Sequence, residues 1–242
     1  MVMTDHTIKA FDADLQELIR MVAEMGGLAE KQIGDAIDVL DRRDTAMAQK
    51  VVAEDVRIDA LQREIEEQAI LTIARRQPMA IDLREIVGAI RVAGDLERVG
   101  DLAKNIAKRS LKIGIEARVP RAIVGLRHMN DVATELMKDV LDAYAQRDAE
   151  RAHDVWERDA DLDALEDSVF RDLLTHMMED PRNISFCAHL LFCSKNIERI
   201  GDHATNIAET VVYLVTGETM PTERPRGPQE TDIDVEAAGG AA

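Results

Sequence analysis

The hexapeptides LERVGD and IERIGD occur 101 residues apart in this chain. Each contains two acids four residues apart, Glu97 with Asp101 and Glu198 with Asp202. Side chains at this spacing lie one turn apart on the same face of a helix, and like charges placed so cost roughly 0.2–0.5 kcal/mol. A bound cation would reverse that cost, and carboxylate oxygens suit cations such as magnesium, manganese or iron.

A second pair of acids precedes each hexapeptide. The stretches DVRIDAL and DADLDAL lie 104 residues apart and contain Asp55 with Asp59 and Asp159 with Asp163. All four pairs flank apolar residues that recur every three or four positions, which is typical of the buried face of a helix. If the helices that carry them are neighbours, two pairs face each other in each half of the chain. We therefore predict eight metal ligands: Asp55, Asp59, Glu97, Asp101, Asp159, Asp163, Glu198 and Asp202.

A solvated charged surface is the plainer interpretation of the same acids. Lys104 and Lys108 lie close enough along the chain to Glu97 and Asp101 to reduce the repulsion between these two acids. They are not repeated, however, because Thr205 and Glu209 stand 101 residues later. The repetition of the acids without the lysines favours the metal hypothesis over the solubility hypothesis.

Other candidate ligands and catalytic groups are weaker. His203 follows Asp202 and is a candidate ligand beside the second hexapeptide, although Leu102 stands at the corresponding place in the first. Glu150 and His153 form one Glu-x-x-His motif, whereas a di-iron centre in a four-helix bundle needs two. The sequence contains no glycine-rich phosphate loop, nucleophile elbow or zinc-finger cysteine spacing. We therefore predict no catalytic residue.

Six segments have the apolar period of a helix, which predicts an all-α fold. Asp44 and Asp148 are predicted N-caps 104 residues apart, and Pro78 and Pro181 end helices 103 residues apart. These repeats indicate one duplicated unit, and hence two tandem antiparallel three-helix bundles. The predicted helices cover residues 8–41, 44–75, 81–114, 119–145, 148–178 and 183–216. The predicted domains are residues 8–116, residues 117–216 and an acidic tail rich in Pro and Gly, 217–242, for which the composition predicts disorder.

Composition and charge limit the function classes. The 242-residue chain is 46% apolar but only 3% aromatic, and its net charge of −17 argues against binding nucleic acid or anionic lipid. No apolar run approaches the ~20 residues that span a bilayer, and the first residues lack the apolar core of a signal peptide. Cys187 and Cys193 lie in an apolar stretch and are predicted to be buried and reduced. These features predict a cytoplasmic protein.

The longer stretches DLERVGDLAKNIAKR and NIERIGDHATNIAET, together with QPMAIDLREI, resemble the paired motif of the PhoU family of phosphate-specific transport system accessory proteins. The resemblance covers about residues 8–216 and implies two three-helix bundles that bind iron, zinc, manganese or magnesium at the acid pairs. It also implies a negative regulator of the phosphate-starvation (Pho) response and of phosphate uptake, and not an enzyme. The implied partners are the ATPase subunit of the phosphate ABC transporter, a PhoR-type histidine kinase and a second copy of the chain.

Three functions stay open at this point. The first is the metal-binding regulatory adaptor that the resemblance implies. The second is a metal-dependent enzyme that uses the carboxylate groups, although the sequence shows no general base or nucleophile beside them. The third is a plain helical scaffold whose acids only keep it in solution.

Overall fold

The computed structural model describes the backbone of residues 2–113 and 120–221, and the side chains of residues 11–113 and 123–221. In these ranges the chain forms six α-helices and one short 3-10 helix. The helices are α1 (Val2–Arg42), α2 (Thr45–Arg76), α3 (Ile81–Ser110), α4 (Pro120–Gln146), α5 (Ala149–Glu179) and α6 (Ile184–Thr216), and the 3-10 helix is Pro181–Asn183. The predicted all-α fold is confirmed. The predicted tail lies outside the described residues from residue 222 onward.

Local side-chain chemistry begins the second helix of each half. The carboxylate of Asp44 accepts a hydrogen bond from the Met47 amide at 3.0 Å, and Asp148 accepts one from the Arg151 amide at 3.0 Å. Both carboxylates satisfy amides that the first turn leaves without a helical partner, so both predicted N-caps are confirmed. The last helix, α6, ends at Gly217, whose left-handed conformation with φ of 80° is one that glycine adopts without strain.

Two helix boundaries differ from the predicted ones by several residues. α1 begins at Val2 rather than at residue 8, since a helix can continue beyond the residues that show an apolar period. α3 ends at Ser110 rather than at residue 114. There the Ser110 hydroxyl donates to the Ala107 carbonyl at 2.7 Å, and the Lys112 amide donates to the Arg109 carbonyl at 2.9 Å in a tighter turn.

Each half of the chain forms one three-helix bundle. Helices α1, α2 and α3 pack against one another in the first, and α4, α5 and α6 in the second. The halves meet where α3 packs on α6 and α1 packs on α4, so one hydrophobic core runs through both. The apolar faces of the two central helices are buried in this core; they consist of Val92, Leu96, Val99, Ala103 and Ile106 on α3 and Cys193, Ile197, Ile200, Ala204 and Ile207 on α6.

The buried residues of the first helix in each half repeat in register. Pairs 104 residues apart are both buried: Val22 with Leu126, Met25 with Met129, Ala29 with Ala133, Ile33 with Met137 and Ala36 with Val140. The same offset relates Asp55 on α2 to Asp159 on α5, so one register describes both helices. Gln32 breaks the pattern, because buried Leu136 stands 104 residues later. A buried side-chain amide therefore lies at this point in the first half only.

The two cysteines are buried and free of any disulfide, as predicted. Burial raises the pKa of Cys193 to about 12, so its thiol stays protonated at neutral pH. Within the described ranges, the helices lack an apolar stretch of the length that crossing a bilayer requires.

Candidate metal centres

The predicted ligands lie where the second and third helices of each bundle run side by side. α2 packs against α3 and α5 packs against α6, so each half draws its acids from two neighbouring helices. The first acid cluster is Asp55, Asp59, Glu97 and Asp101, and the second acid cluster is Asp159, Asp163, Glu198 and Asp202. Asp55 and Asp159 are only 3% and 2% exposed, whereas Asp163 lies on the exposed side of α5.

A lysine lies at the centre of the first acid cluster. The ammonium of Lys104 donates to Asp55 Oδ2 at 2.5 Å and also to Asp101 Oδ1, so it joins α2 to α3. The Gln32 amide nitrogen lies 3.3 Å from Asp55 Oδ1 and donates to it. Burial lowers the pKa of Lys104, but the hydrogen bonds to Asp101 and Asp55 outweigh it and leave the pKa raised. Lys104 is therefore positively charged at neutral pH.

Burial and the neighbouring acids both act on Glu97 in the first cluster. Burial raises the pKa of its carboxyl, and the negative charge of Asp101 raises it further, against a lowering by Arg98. The charges of Asp59 and Asp55 also raise this pKa, which shows that the acids of α2 and α3 act on one another. Arg98 Nε lies 3.5 Å from Glu97 Oε2, and this guanidinium is mostly exposed.

The second acid cluster contains a buried carboxylate oxygen without a partner. Glu198 Oε1 accepts a hydrogen bond from Lys195 Nζ at 2.7 Å, but Glu198 Oε2 is buried and accepts none. Burial raises the pKa of Glu198; the hydrogen bond from Lys195 lowers it, and the charges of Asp202 and Asp163 raise it. The acids of α5 and α6 thus also act on one another.

Thr205 takes the position of Lys104 in the second half. Its side chain is fully buried, and its hydroxyl donates to the backbone carbonyl of Asp202 at 2.7 Å. The second half therefore has a small neutral side chain where the first half has an ammonium.

Glu166 is a further acid beside the second cluster that the sequence analysis missed. Burial raises its pKa; the Lys195 charge lowers the pKa, and the Asp163 charge contributes to raising it. The Ser194 hydroxyl lies 3.5 Å from Glu166 Oε1. Glu166 follows Asp163 by three residues, which puts both on one helix face, and this spacing is the signal that identifies it.

The glycine of each hexapeptide makes room for the buried aspartate of the neighbouring helix. An ideal Cβ at Gly100 would lie 3.3 Å from Asp55 Oδ1, and one at Gly201 would lie 2.6 Å from Asp159 Oδ1. Glycine is unfavourable in a helix interior by about 1 kcal/mol relative to alanine. Its repetition in LERVGD and IERIGD was therefore a sequence signal for close helix approach.

His203 contacts the other half of the chain instead of the second acid cluster. Its Nδ1 lies 2.9 Å from Oδ1 of Asp95 on α3, and Asn206 Nδ2 donates to the same oxygen at 3.2 Å. Both His203 and Asp95 line a groove of about 540 Å³ between α3 and α6. The structure therefore does not support the sequence-based suggestion that His203 is a metal ligand, and it assigns this histidine to the contact between the bundles.

Each acid cluster has a different buried polar group beside its acids. Among the described residues, no three acidic, histidine or cysteine side chains are arranged to hold one metal ion. In the first cluster the Lys104 ammonium contacts both Asp55 and Asp101. Gln32 Oε1 in the first cluster and Glu198 Oε2 in the second are buried without a hydrogen bond. Metal binding by the eight acids stays a prediction.

Both acid clusters lie in segments that match one known family. The model of the PhoU domain matches residues 22–110 and 126–211, which are more than half of the chain. The chain belongs to the PhoU family. All eight predicted ligands lie within these PhoU segments, four in each, and so do Gly100 and Gly201.

PhoU relatives are similar to this chain over nearly their whole length. The phosphate-specific transport system accessory protein PhoU homolog of Rhizobium meliloti (strain 1021) is 54% identical over 91% of this chain and 93% of its own length. The protein of the same name from Caulobacter vibrioides (strain NA1000 / CB15N) is 50% identical over 93% of this chain and 97% of its own length.

Two solved PhoU structures have the same fold. The crystal structure of PhoU from Pseudomonas aeruginosa matches 86% of this chain and all of its own chain with 40% identity and a TM-score of 0.82. The phosphate transport system regulatory protein PhoU from Streptococcus pneumoniae matches 87% of this chain and 99% of its own with 27% identity and a TM-score of 0.81. The predicted PhoU-like fold is confirmed.

Proposed function

We propose that this chain is a metal-binding regulatory adaptor of phosphate homeostasis, and not an enzyme. It restrains the phosphate-starvation response and phosphate uptake by linking the ATPase subunit of the phosphate ABC transporter to a PhoR-type histidine kinase in the cytoplasm. The observation that carries the proposal is the 54% identity, over 91% of this chain, to a protein named as a phosphate-specific transport system accessory protein. A shared fold alone would support no function, whereas 54% identity over 91% of this chain and 93% of the relative supports a shared role.

Long helices with exposed apolar residues suit an adaptor. The helices contain 27 to 41 residues. At 1.5 Å per residue they provide rigid faces about 40–60 Å long. Three large apolar side chains, Phe170, Leu174 and Met178, are exposed at four-residue spacing on α5. Contiguous apolar residues at the surface are typical of sites that a partner covers.

The two acid clusters are the proposed metal sites, with iron, zinc, manganese or magnesium as candidate cations. A cation bound there would neutralise carboxylates from two neighbouring helices of one bundle. The chain contributes carboxylate donors from both helices. Gly100 and Gly201 contribute the close approach that brings the buried aspartates beside the hexapeptides.

Deletion of the gene tests the regulatory role. We expect the deletion strain to express phosphate-starvation genes in phosphate-rich medium, and the wild-type gene to restore the basal level. Unchanged expression after deletion contradicts the regulatory role. A reporter fused to a phosphate-starvation promoter gives the measurement.

Complementation with charge-matched variants separates the metal-binding adaptor from the plain scaffold. The test variant combines Asp101→Asn with Asp202→Asn, one change in each cluster. The control combines Asp161→Asn with Glu209→Gln, which removes the same charge from exposed positions. We expect the control to restore repression and the test variant to fail. Equal repression by both favours the scaffold.

Copurification tests the proposed partners directly. We expect the purified chain to retain the ATPase subunit of the phosphate transporter and the cytoplasmic part of the kinase, but not an unrelated ABC ATPase. Light scattering after gel filtration gives the mass, and the proposed homodimer has twice the 26.9 kDa of one chain. Retention of neither partner contradicts the adaptor role.

A further inference from the structure

We propose that a pocket between the two bundles is a binding site for a small apolar molecule with one neutral hydrogen-bonding group. The pocket has a volume of about 200 Å³, and the residues that line it come from α1, α3, α6 and the end of α4. Junctions between structural units are places where small-molecule sites are common. The lining residues are not those of the acid clusters, so this pocket can be occupied whether or not the chain binds metal.

The wall of the pocket is mostly apolar. It is formed by Leu15, Leu18 and Ile19 on α1, Ala89 on α3 and Leu214 on α6. Val215 also lines the pocket and is 45% exposed, so the pocket opens to solvent beside α6. Drug-sized ligands occupy pockets of roughly 300–1,000 Å³. This smaller volume therefore selects a smaller ligand, and the apolar wall selects an apolar body.

Three polar side chains complete the pocket: Glu85 on α3, Tyr144 on α4 and Arg147 in the turn after α4. Glu85 Oε2 lies 2.6 Å from Arg147 Nη2, so the charges of these two groups offset each other. The Tyr144 hydroxyl forms no hydrogen bond with any residue that the structure describes. Burial raises the pKa of Tyr144; the Glu85 charge raises it further and the Arg147 charge lowers it, so this hydroxyl stays protonated at neutral pH.

The Tyr144 hydroxyl is the group that a ligand would satisfy. A tyrosine hydroxyl can donate one hydrogen bond and accept another, so it can pair with a hydroxyl or an amide of the ligand. A charged head group would have to separate Glu85 from Arg147 or lie desolvated beside their ion pair. Both are unfavourable, because the Glu85 side chain is only 14% exposed. The pocket therefore favours a neutral head group.

The other half of the chain builds the corresponding positions without these polar groups. Leu40 stands 104 residues before Tyr144, and Phe186 stands 101 residues after Glu85. Both Leu40 and Phe186 are buried apolar residues. The duplicated unit can therefore pack these positions with apolar side chains alone. The hydroxyl and the carboxyl are additions that packing does not require, and binding a ligand accounts for them.

Octan-1-ol is a suitable probe, because it joins an unbranched apolar chain to one hydroxyl. The chain contains two tyrosines, of which Tyr213 lies outside the pocket with its ring against Arg84 and Arg91. In the full-length protein with isotopically labelled tyrosine rings, octan-1-ol should shift the magnetic resonance signals of Tyr144 and leave those of Tyr213 in place. Signals of Tyr144 that do not move would overturn the proposal.

Tyr144→Phe removes the hydroxyl and keeps the ring. We expect it to weaken the binding of octan-1-ol, measured by calorimetry, by about 2–10-fold, as the loss of one hydrogen bond does. Tyr213→Phe makes the same chemical change outside the pocket and should leave the affinity unchanged. Equal affinities of these two variants would overturn the role of the Tyr144 hydroxyl.

Val215→Ser tests the apolar wall at an exposed position, where the substitution is compatible with folding. It should weaken binding by about two- to fourfold, as the loss of apolar contact does. Val124→Ser, which is 68% exposed and outside the pocket, is its control and should bind as the wild type does. Circular dichroism establishes that each variant keeps its helical content. Equal binding by both valine variants would overturn the assignment of the pocket.

Probes with the same chain and a charged head group test the preference for a neutral one. Octanoate and octylamine should both bind more weakly than octan-1-ol. Binding of either charged probe as tightly as octan-1-ol, or more tightly, would overturn the neutral class of ligand. These titrations are independent of the reporter and copurification experiments, so failure of this proposal is distinguishable from failure of the regulatory role.

Discussion

The carboxylate of Asp159 on α5 lies in the space that a side chain at Gly201 on α6 would fill. An ideal Cβ at Gly201 would lie 2.6 Å from Asp159 Oδ1, whereas the equivalent distance from Gly100 to Asp55 Oδ1 is 3.3 Å. The glycine of the repeated hexapeptide therefore leaves room for the aspartate side chain of the neighbouring helix. The fit is tighter in the second half than in the first.

Substitution Gly201→Ala should lower the free energy of unfolding. The added methyl group would also lie 2.5 Å from Leu162 Cδ2, so both the leucine and the aspartate would have to move. Overpacking costs about 1–3 kcal/mol. Alanine regains about 1 kcal/mol of helix propensity. We expect a net loss of up to about 2 kcal/mol, measured by urea denaturation.

Gly27→Ala is the matched control, because an ideal Cβ at Gly27 has no atom within 4 Å and the residue is exposed. This variant should be more stable than the wild type by up to about 1 kcal/mol. A stabilised Gly201→Ala variant would contradict the close approach of α5 and α6.

The contact between His203 and Asp95 should couple the two bundles. The two side chains are 16% and 17% exposed, so their 2.9 Å contact is largely shielded from water. A double-mutant cycle with His203→Ala and Asp95→Ala should give a coupling energy of about 1–3 kcal/mol. A cycle between His203→Ala and Asp12→Ala, which is exposed on α1, serves as the control and should give no coupling. Additivity in the first cycle would show that the contact does not hold the bundles together.

Stability should depend on pH through Glu85. Burial raises the pKa of this carboxyl above its ordinary value of 4.5; the Arg147 charge lowers it and the Asp82 charge raises it. Between the ordinary and the raised pKa the folded chain binds more protons than the unfolded chain, so its stability falls as the pH rises. The free energy of unfolding of the wild type minus that of Glu85→Gln should therefore decrease from about pH 4 to about pH 7.

Glu135→Gln is the control for this pH series, because the Glu135 side chain is 68% exposed. Its difference from the wild type gives the reference for removing one exposed carboxyl group. A difference for Glu85→Gln that grows with pH would contradict the assigned direction of the pKa shift.

Metal binding at the acid clusters should raise the thermal stability of the wild type. A ligand present at about 100 times its dissociation constant stabilises the folded state by about 2.7 kcal/mol. We expect Mn²⁺, which accepts carboxylate ligands, to raise the melting temperature of the wild type and of the exposed control, Asp161→Asn with Glu209→Gln. The melting temperature of Asp101→Asn with Asp202→Asn should respond less. A response of the same size in all three proteins would place the metal elsewhere.

Features that depend on local chemistry could be predicted from the sequence. Asp44 and Asp148 act on amides three residues away, so they were identified as N-caps without knowledge of the fold. The apolar period located all six helices, and the repeated motifs indicated two related bundles. The ends of α1 and α3 were displaced by several residues because the apolar period does not record where a helix stops.

Features that depend on contacts between helices could not be predicted. The sequence places Lys104 near the acids of its own helix, but its contact with Asp55 depends on how α2 packs on α3. The contact of His203 with Asp95 depends on how the two bundles meet, which no repeat within one bundle specifies. The repeated glycines are visible in the hexapeptides. Why glycine is required there becomes clear only from the position of the buried aspartate on the neighbouring helix.

Anomalous diffraction from wild-type crystals soaked in Mn²⁺ tests the central claim most directly, because it locates each metal ion. We predict an anomalous peak at an acid cluster, within about 2–2.5 Å of carboxylate oxygens from both of its helices, as oxygen ligation requires. No peak should lie beside Asp161 or Glu209, the exposed acids changed in the control variant. The absence of a peak at both acid clusters would contradict the metal-binding part of the account.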